Sequence, residues 1–172
     1  MRIEKTGLMG LLEAVDKELK RPVHVVAVGG TAMTLLGMKP STIDIDFCLS
    51  QEDLKEFRKA LKAVPHGFRI DLFADGMIFS QKLPEDYLER SIAIKTGLKK
   101  IRLSAMNPVD IIVTKAGRMD ERDLEDIASC IEKFRITKEQ IEERAKLVEY
   151  VGREENYRDN IREVIKRFFS NR

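Results

Sequence analysis

The sequence lacks most of the features that mark secreted, disulfide-stabilised or membrane-bound proteins. It has no tryptophan and only two cysteines, Cys48 and Cys130, which are far apart and in no metal-ligand spacing. Such sparse cysteines indicate reduced thiols in a cytoplasmic protein. No apolar run is long enough to cross a bilayer, and the charged N-terminus is not typical of a signal peptide. We therefore expect a cytoplasmic protein that does not use a membrane.

An excess of one charge and the common nucleotide-binding loops are missing as well. Lys and Arg number 31 against 29 Asp and Glu, so the net charge of +2 indicates no class of partner. There is no G-x-G-x-x-G segment, which excludes a Rossmann dinucleotide site, and no Gly-Lys-Ser/Thr, which excludes a P-loop. The 172 residues are enough for one domain with a substantial core.

A pair of glycines separates the first apolar segment from the polar region that follows it. The predicted strand 23–28 ends at Gly29 and Gly30, and a short helix is predicted over 31–36. Consecutive glycines let the backbone approach a bulky ligand, and the start of a helix directs unsatisfied N–H groups toward it. A tight strand-to-helix turn is the structural alternative, and both interpretations can hold together.

Two carboxylates lie on the next predicted strand, 43–49. Asp44 and Asp46 are two residues apart, so their side chains leave one face, while Ile43 and Phe47 leave the other and should pack on helices. Carboxylates on an otherwise apolar strand are costly without a partner, which argues against a solvated edge-strand pair. Paired oxygen donors on one face suit Mg²⁺, so this strand predicts a metal site beside a phosphate cradle.

The combined pattern resembles the signature of the nucleotidyltransferase superfamily, which includes polymerase β. The matching parts are the apolar run before Gly29-Gly30-Thr31, a helix, and Thr42-x-Asp44-x-Asp46. A third carboxylate on a neighbouring strand completes that signature, and Asp71 in the predicted strand 68–73 corresponds to it. The chain most resembles small prokaryotic stand-alone nucleotidyltransferases, including the abortive-infection toxin type.

A second likeness to these families lies downstream, and together the two cover roughly residues 23–131. A helix carrying Lys115 is followed by an Arg-Asp-x-x-Asp element formed by Arg122, Asp123 and Asp126. The resemblance implies that Lys115 neutralises charge on a triphosphate and that the element contacts nucleotide or orients Lys115. The structural alternative is that the element forms the salt-bridged first turns of a helix, since acidic residues there are favoured.

The resemblance implies a metal-dependent enzyme that moves a nucleoside monophosphate from an NTP such as ATP to a hydroxyl and releases pyrophosphate. Asp44, Asp46 and Asp71 would be the catalytic and metal-binding residues for two Mg²⁺ ions, with Mn²⁺ as an alternative metal. Asp71 would also accept the hydroxyl proton, although an ion pair with Arg69 is the simpler interpretation of its position. The residues implied in binding the nucleotide are Gly29, Gly30, Thr31, Thr42, Lys115, Arg122 and Asp123.

The acceptor and the partners stay open at this point. An RNA end (including tRNA), a protein hydroxyl and a small molecule all suit the chemistry. The other function considered is a non-catalytic nucleotidyltransferase-like interaction module, either a toxin–antitoxin partner (binding an antitoxin) or a nucleic-acid binder. It is motivated by the stretch Lys95–Arg118, with six basic residues and one acidic, and by Phe168 and Phe169, which could pack on another chain or in a homodimer.

These patterns predict an α/β (α+β) fold in which a nucleotidyltransferase-like mixed sheet with flanking helices is followed by a helical part. We expect an α/β core over 1–106 and a helical region over 107–172 packed on it, with a single domain as the alternative. Helix caps are predicted at Ser50, Asn107 and Thr137. Helices are predicted over 4–20, 51–63, 107–118, 120–133 and 138–150 and near the C-terminus, and a hairpin over 91–103.

Overall fold

The computed structural model describes residues 1–170 and has the predicted mixed α/β fold with C-terminal helices. The chain divides into two compact units. The described residues form strands β1 (Ile3–Glu4), β2 (Val23–Ala27), β3 (Ser41–Thr42), β4 (Ile45–Leu49), β5 (Ile70–Ala74), β6 (Met77–Ile78), β7 (Gln81–Lys82), β8 (Ile92–Ala93), β9 (Ile101–Ala105) and β10 (Glu149–Tyr150). The helices among the described residues are α1 (Lys5–Glu18), α2 (Gly29–Leu35), α3 (Gln51–Lys62), α4 (Tyr87–Arg90), α5 (Pro108–Lys115), α6 (Glu121–Phe134), α7 (Lys138–Lys146) and α8 (Glu154–Phe169).

The first unit comprises Met1–Gly76 and Leu88–Met106 and is built on a five-stranded sheet of order β5-β4-β2-β9-β8. β2 pairs parallel with β9 and antiparallel with β4, while β4 pairs parallel with β5. The β8–β9 pair is antiparallel, which confirms the predicted hairpin. Parallel and antiparallel pairs in one sheet make it the mixed sheet that was predicted.

Apolar side chains spaced for a helix cover this sheet. Leu8, Leu12 and Val15 lie on one stripe of α1, and all three are fully buried, as the 3.6-residue period requires. Phe57 of α3 meets Phe47 of β4 edge to face, with ring centroids 5.9 Å apart. The sheet and these helices form the core of the first unit.

Asp16 fastens the loop that leads into β9. Its carboxylate accepts backbone N–H bonds from Lys99 at 3.0 Å and from Lys100 and Ile101 at 2.8 Å. Burial alone raises the pKa of Asp16, but these three N–H groups outweigh it and hold the pKa below its ordinary value. One carboxylate on α1 thereby fixes where β9 begins.

The second unit comprises Met77–Tyr87 and the chain from Asn107 onward. It contains α5 to α8 and a small sheet of order β10-β7-β6. Asn107 accepts a bond from the Val109 N–H with Pro108 at the first helical position, which confirms the predicted cap. Thr137 and Gln140 form the predicted capping box at the start of α7.

A buried ion pair lies inside this second unit. Arg144 of α7 donates to both carboxylate oxygens of Asp110 on α5, and Arg144 also pairs with Asp86 at 2.9 Å. The hydroxyl of Tyr157 donates to the Val113 carbonyl at 2.7 Å, and burial raises the pKa of Tyr157. These bonds tie the segment before α4 to α5, α7 and α8.

The predicted strand over 43–49 is wrong at its first two residues. β4 begins at Ile45, and Ile43 is 40% exposed rather than packed on a helix. The Asp44 carbonyl accepts bonds from the Thr31 and Thr42 hydroxyls instead of joining a ladder, so the chain bends before the strand starts. Asp44 therefore lies in the turn that leads into β4.

Other boundaries also differ from the sequence prediction. α7 ends at Lys146, and β10 occupies the end of the segment predicted as helix up to 150. α5 stops at Lys115 rather than near 118. Of the six two-residue strands among the described residues, β8 lies in the predicted hairpin, and the other five were not predicted, because so short a strand carries little periodic pattern: β1, β3, β6, β7 and β10. None of the helices in residues 1–170 has the length and apolar character to span a membrane.

Candidate active site

Strand register places two of the predicted catalytic carboxylates side by side. In the parallel pairing of β4 with β5, Asp46 lies directly opposite Asp71. Residues opposite each other in a sheet project from the same face, so both carboxylates leave one side of the sheet. Asp46 is buried, whereas the Asp71 side chain is 43% exposed. The buried Asp46 carboxylate thus lies beside the accessible Asp71 carboxylate.

A single guanidinium links the third carboxylate to this pair. Arg69 Nε lies 3.9 Å from Asp44 Oδ1 and 3.7 Å from Asp71 Oδ2. The Asp44 and Arg69 side chains are 42% and 75% exposed, so each contact is a weak, solvent-screened ion pair. The ion pair considered for Asp71 is therefore present, and it also includes Asp44. The Arg69 guanidinium therefore places a positive charge close to both accessible carboxylates.

The glycine pair forms a turn that favours glycine at both positions. α2 begins at Gly29, whose φ of 54° lies in the left-handed region that glycine adopts without strain. A Cβ on Gly30 would come within 2.9 Å of the Thr42 hydroxyl oxygen. The structural interpretation of this pair is confirmed, because the turn and the close approach both disfavour a side chain.

Two threonine hydroxyls hold the backbone of the aspartate motif. The Thr31 hydroxyl donates to the Asp44 carbonyl at 3.1 Å and accepts from the Asp46 N–H at 3.0 Å. The Thr42 hydroxyl donates to the same carbonyl at 2.8 Å. Both threonines are buried, so in this structure their hydroxyls position the carboxylates. Their contact with nucleotide stays a prediction.

In the second unit, Lys115 is enclosed by the acidic element that follows it. Its Nζ lies 2.9 Å from Asp126 and 3.5 Å from Asp123, and its side chain is 4% exposed. Asp123 also accepts two bonds of 2.8 Å from Arg118 and forms a capping box with Asp120. Ion pairs thereby connect Lys115, at the end of α5, to the first turns of α6.

These contacts support the structural interpretation of the Arg-Asp-x-x-Asp element. Burial raises the pKa of Asp123, but the Arg118 bonds and the Lys115 charge outweigh it and hold that pKa below its ordinary value. Arg122 is exposed. Counting Lys115 and Arg118 in an open basic stretch was wrong, since one is buried and both are paired with acids. The nucleotide contacts of Lys115, Arg122 and Asp123 stay predictions.

A histidine–serine contact on β2 and β9 was not anticipated from the sequence. His24 Nε2 lies 2.9 Å from the Ser104 hydroxyl, and Arg102 lies 3.1 Å from Nδ1. Arginine can only donate, so Nδ1 is the acceptor and the proton sits on Nε2, facing the serine. Burial and the Arg102 charge lower the pKa of His24. His24 therefore cannot take a proton from Ser104, and its contacts with Arg102 and Ser104 indicate a structural role.

The family of the chain follows from a comparison with protein-family models. The family described as a nucleotidyltransferase of unknown function (DUF6036) matches residues 7–169. The chain belongs to this nucleotidyltransferase family. The match confirms the resemblance seen in the carboxylate motif, and it extends across α7 and α8, which that resemblance did not cover. No curated protein and no solved structure matches the chain.

The fit of a metal to the carboxylate site of this family member can be judged from its donor atoms. Within residues 1–170, no three or more His, Cys, Asp or Glu side chains come together in a metal-binding group. Asp44 and Asp71 nevertheless converge on one cation, the Arg69 guanidinium, and Asp46 is the register partner of Asp71. Carboxylate oxygens are the donors that Mg²⁺ and Mn²⁺ prefer. The donor set therefore suits a hard divalent cation, although the three carboxylates do not close around one point.

Proposed function

We propose that this nucleotidyltransferase moves a nucleoside monophosphate from an NTP to a hydroxyl acceptor and releases pyrophosphate. Asp46 and Asp71 carry the proposal, because their pairing in register sets two carboxylates side by side on one sheet face. The glycine turn at the start of α2 and the Asp44 bend lie on the same short stretch of chain. Carboxylates grouped beside a glycine turn suit a cation-dependent phosphoryl reaction better than they suit a structural role.

Asp44, Asp46 and Asp71 would hold Mg²⁺, or Mn²⁺ in its place. Bound divalent ions neutralise phosphate charge and lower the pKa of an acceptor hydroxyl. Thr31 and Thr42 keep the Asp44–Asp46 backbone in place, so the carboxylates need little reorganisation. Preorganisation of this kind is what a reaction governed by positioning requires.

Asp71 is the residue suited to receive the acceptor's proton. Its carboxylate is partly exposed and projects beside the enclosed Asp46, so an entering hydroxyl can reach an Asp71 oxygen. Arg69 lies against that carboxylate and against Asp44, where it offsets their charge. An incoming triphosphate offers the guanidinium a second set of anionic partners.

The test is transfer of label from each of four α-³²P NTPs with Mg²⁺, in the presence of total RNA, a protein lysate and a metabolite extract. Wild type should label one acceptor class, and released pyrophosphate should rise in parallel. Asp46→Asn should lower transfer by about a hundredfold or more, since one metal-binding charge is lost. Asp159→Asn, the same change at an exposed site of α8, is the matched control.

Unchanged transfer by Asp46→Asn would refute the mechanism, provided that its melting temperature matches wild type. Absence of any label or pyrophosphate with every NTP and extract would count against the function itself. The non-catalytic alternative, nucleic-acid binding through Lys95–Arg118, is not favoured by any contact, since Lys115 and Arg118 are engaged by acidic residues.

A further inference from the structure

Helices α7 and α8 of the second unit border an open groove of about 880 Å³. Its floor is apolar: Ala145 comes from α7, Val148 from the segment after it, and Ile161, Ile165 and Phe169 from α8. Ile165 and Phe169 are only partly covered, although apolar side chains at this spacing ordinarily face a core. The two helices therefore leave an apolar strip that the described residues do not cover.

The strip continues past the start of α7. A second cavity of about 480 Å³ is lined by Ile131 and Ile136, and it shares Lys138 and Phe169 with the groove. Phe134, at the end of α6, is also 37% exposed. The two cavities share lining residues, so their apolar side chains are not scattered singly over the surface, and contiguous apolar surfaces mark binding sites.

The rim of the groove is basic. Among the lining residues are five cations, Lys138, Lys146, Arg158, Arg162 and Lys166, and two acids, Glu142 and Glu154. Arg158 pairs with Glu154 and Arg162 with Asp159, each at 2.7 Å. In the part of the chain that the structure describes, the three lysines form no ion pair. The groove thus offers an apolar floor and a lining in which five cations outnumber two acids.

We propose that this groove binds an amphipathic helix of a partner protein, with acidic residues on both sides of its apolar face. An apolar groove between two helices receives the apolar face of a third helix at the i, i+3, i+4 and i+7 positions. The three lysines supply the complementary charge, which sets the partner's orientation and excludes basic helices. The 16 residues of α8 span about 24 Å, enough to seat three to four turns of the incoming helix.

Two other occupants fit less well. A two-fold dimer through this groove would set each basic rim against its own copy, and like charges in contact oppose association. Nucleic acid would meet the rim lysines, but the floor is aliphatic except for Phe169 and Tyr157, and Tyr157 is buried. Stacking of bases needs exposed aromatic faces. Acidic residues flanking an apolar stripe complement both the floor and the rim.

The probe is a fluorescein-labelled helical peptide of about 18 residues, with leucines at i, i+3, i+4 and i+7 and glutamates on both flanks. Fluorescence anisotropy with the full chain measures its Kd. A peptide with lysines in place of the glutamates is the matched control ligand. We expect the acidic peptide to bind and the basic one not to bind, with binding weakened as salt rises.

Variants of the groove locate the site. Lys146→Glu with Lys166→Glu should weaken binding of the acidic peptide by at least about tenfold. Ile165→Glu places a charge on the floor and should abolish binding. Lys59→Glu with Lys62→Glu makes the same charge change on the exposed face of α3 and should leave the Kd unchanged. Melting curves establish whether each variant is folded. If Ile165→Glu does not fold, the variant Lys146→Glu with Lys166→Glu tests the proposal, because both lysines are exposed.

Any one of four results overturns the proposal. The first is that the acidic peptide fails to bind, and the second is that it binds the variant Lys146→Glu with Lys166→Glu as tightly as it binds wild type. Duplex RNA or DNA displaces the peptide and binds more tightly than it does, which assigns the rim to nucleic acid. Light scattering shows a wild-type dimer that Ile165→Glu converts to monomer, which assigns the groove to a second copy of the chain.

Discussion

A change at Lys115 separates the two interpretations of the Arg-Asp-x-x-Asp element, which are a structural ion-pair cluster and a nucleotide contact. Replacing it with methionine keeps the aliphatic bulk and deletes the charge that faces Asp126 at 2.9 Å and Asp123 at 3.5 Å. Removing one partner of a buried ion pair leaves an uncompensated charge and costs about 3–5 kcal/mol. Arg118 still serves Asp123, so the loss of the 2.9 Å contact between Lys115 and Asp126 accounts for most of that penalty.

The expected consequence is a drop in melting temperature of about 10 °C, since 1 kcal/mol corresponds to about 2–4 °C in a chain of this size. Lys146→Met, the same change at an exposed position of α7, should leave the melting temperature within about 1 °C of wild type. Calorimetry or circular dichroism at neutral pH measures both.

A double variant then separates the pair from its surroundings. Lys115→Met combined with Asp126→Leu removes both charges, and it should recover about 1–3 kcal/mol relative to the sum of the single changes. If Lys115→Met melts like wild type but loses nucleotide binding, the ion-pair cluster is not structural. The element would then serve the ligand, as the family resemblance implies.

Asp16, Gly30 and Arg69 give three further expected outcomes. The folded-state pKa of Asp16 is depressed, so Asp16 stabilises the fold fully above its unfolded pKa of about 3.9, and this stabilisation is lost as pH falls through the folded pKa. Asp16→Asn should flatten the loss of unfolding free energy at acid pH, measured by urea titration, and should cost about 1–3 kcal/mol at pH 7. Gly30→Ala should lower stability by about 1–3 kcal/mol through its clash with Thr42, while Gly10→Ala, with open space around it, should not. Arg69→Gln should tighten Mn²⁺ binding roughly threefold to fivefold in an electron paramagnetic resonance titration, and unchanged affinity would contradict its place between the carboxylates.

Local signals in the sequence predicted the starts of helices well. Ser50, Asn107 and Thr137 each accept a bond from an N–H two or three residues ahead, so the whole interaction lies within a few residues of sequence. The Asp53 side chain, three residues after Ser50, does not complete a capping box there, because it accepts from Arg21 and from the His24 N–H. Those partners lie on another part of the chain, where no local pattern reveals them.

The carboxylate site shows the same limit. Arg69 and Asp71 are two residues apart near one strand, so their ion pair was predictable from the sequence. The contact of Arg69 with Asp44 and the pairing of Asp46 with Asp71 depend on the register of β4 against β5, which sequence alone does not give. The burial of Lys115 was missed because its charge was counted without the acids eight and eleven residues later.

The order of the chain has a consequence for its synthesis. The β6–β7 pair leaves the ribosome before Leu88–Met106, yet its third strand β10 and the Arg144 partner of Asp86 come more than fifty residues later. At ordinary elongation rates the pair waits several seconds for them. A two-stranded hairpin is marginal alone, and its free edge invites pairing with another chain. A nascent or truncated chain that stops between 107 and 143 therefore contains every residue of the first unit, but its β6–β7 pair lacks β10. We expect such a chain to aggregate through the unpaired edge of β7.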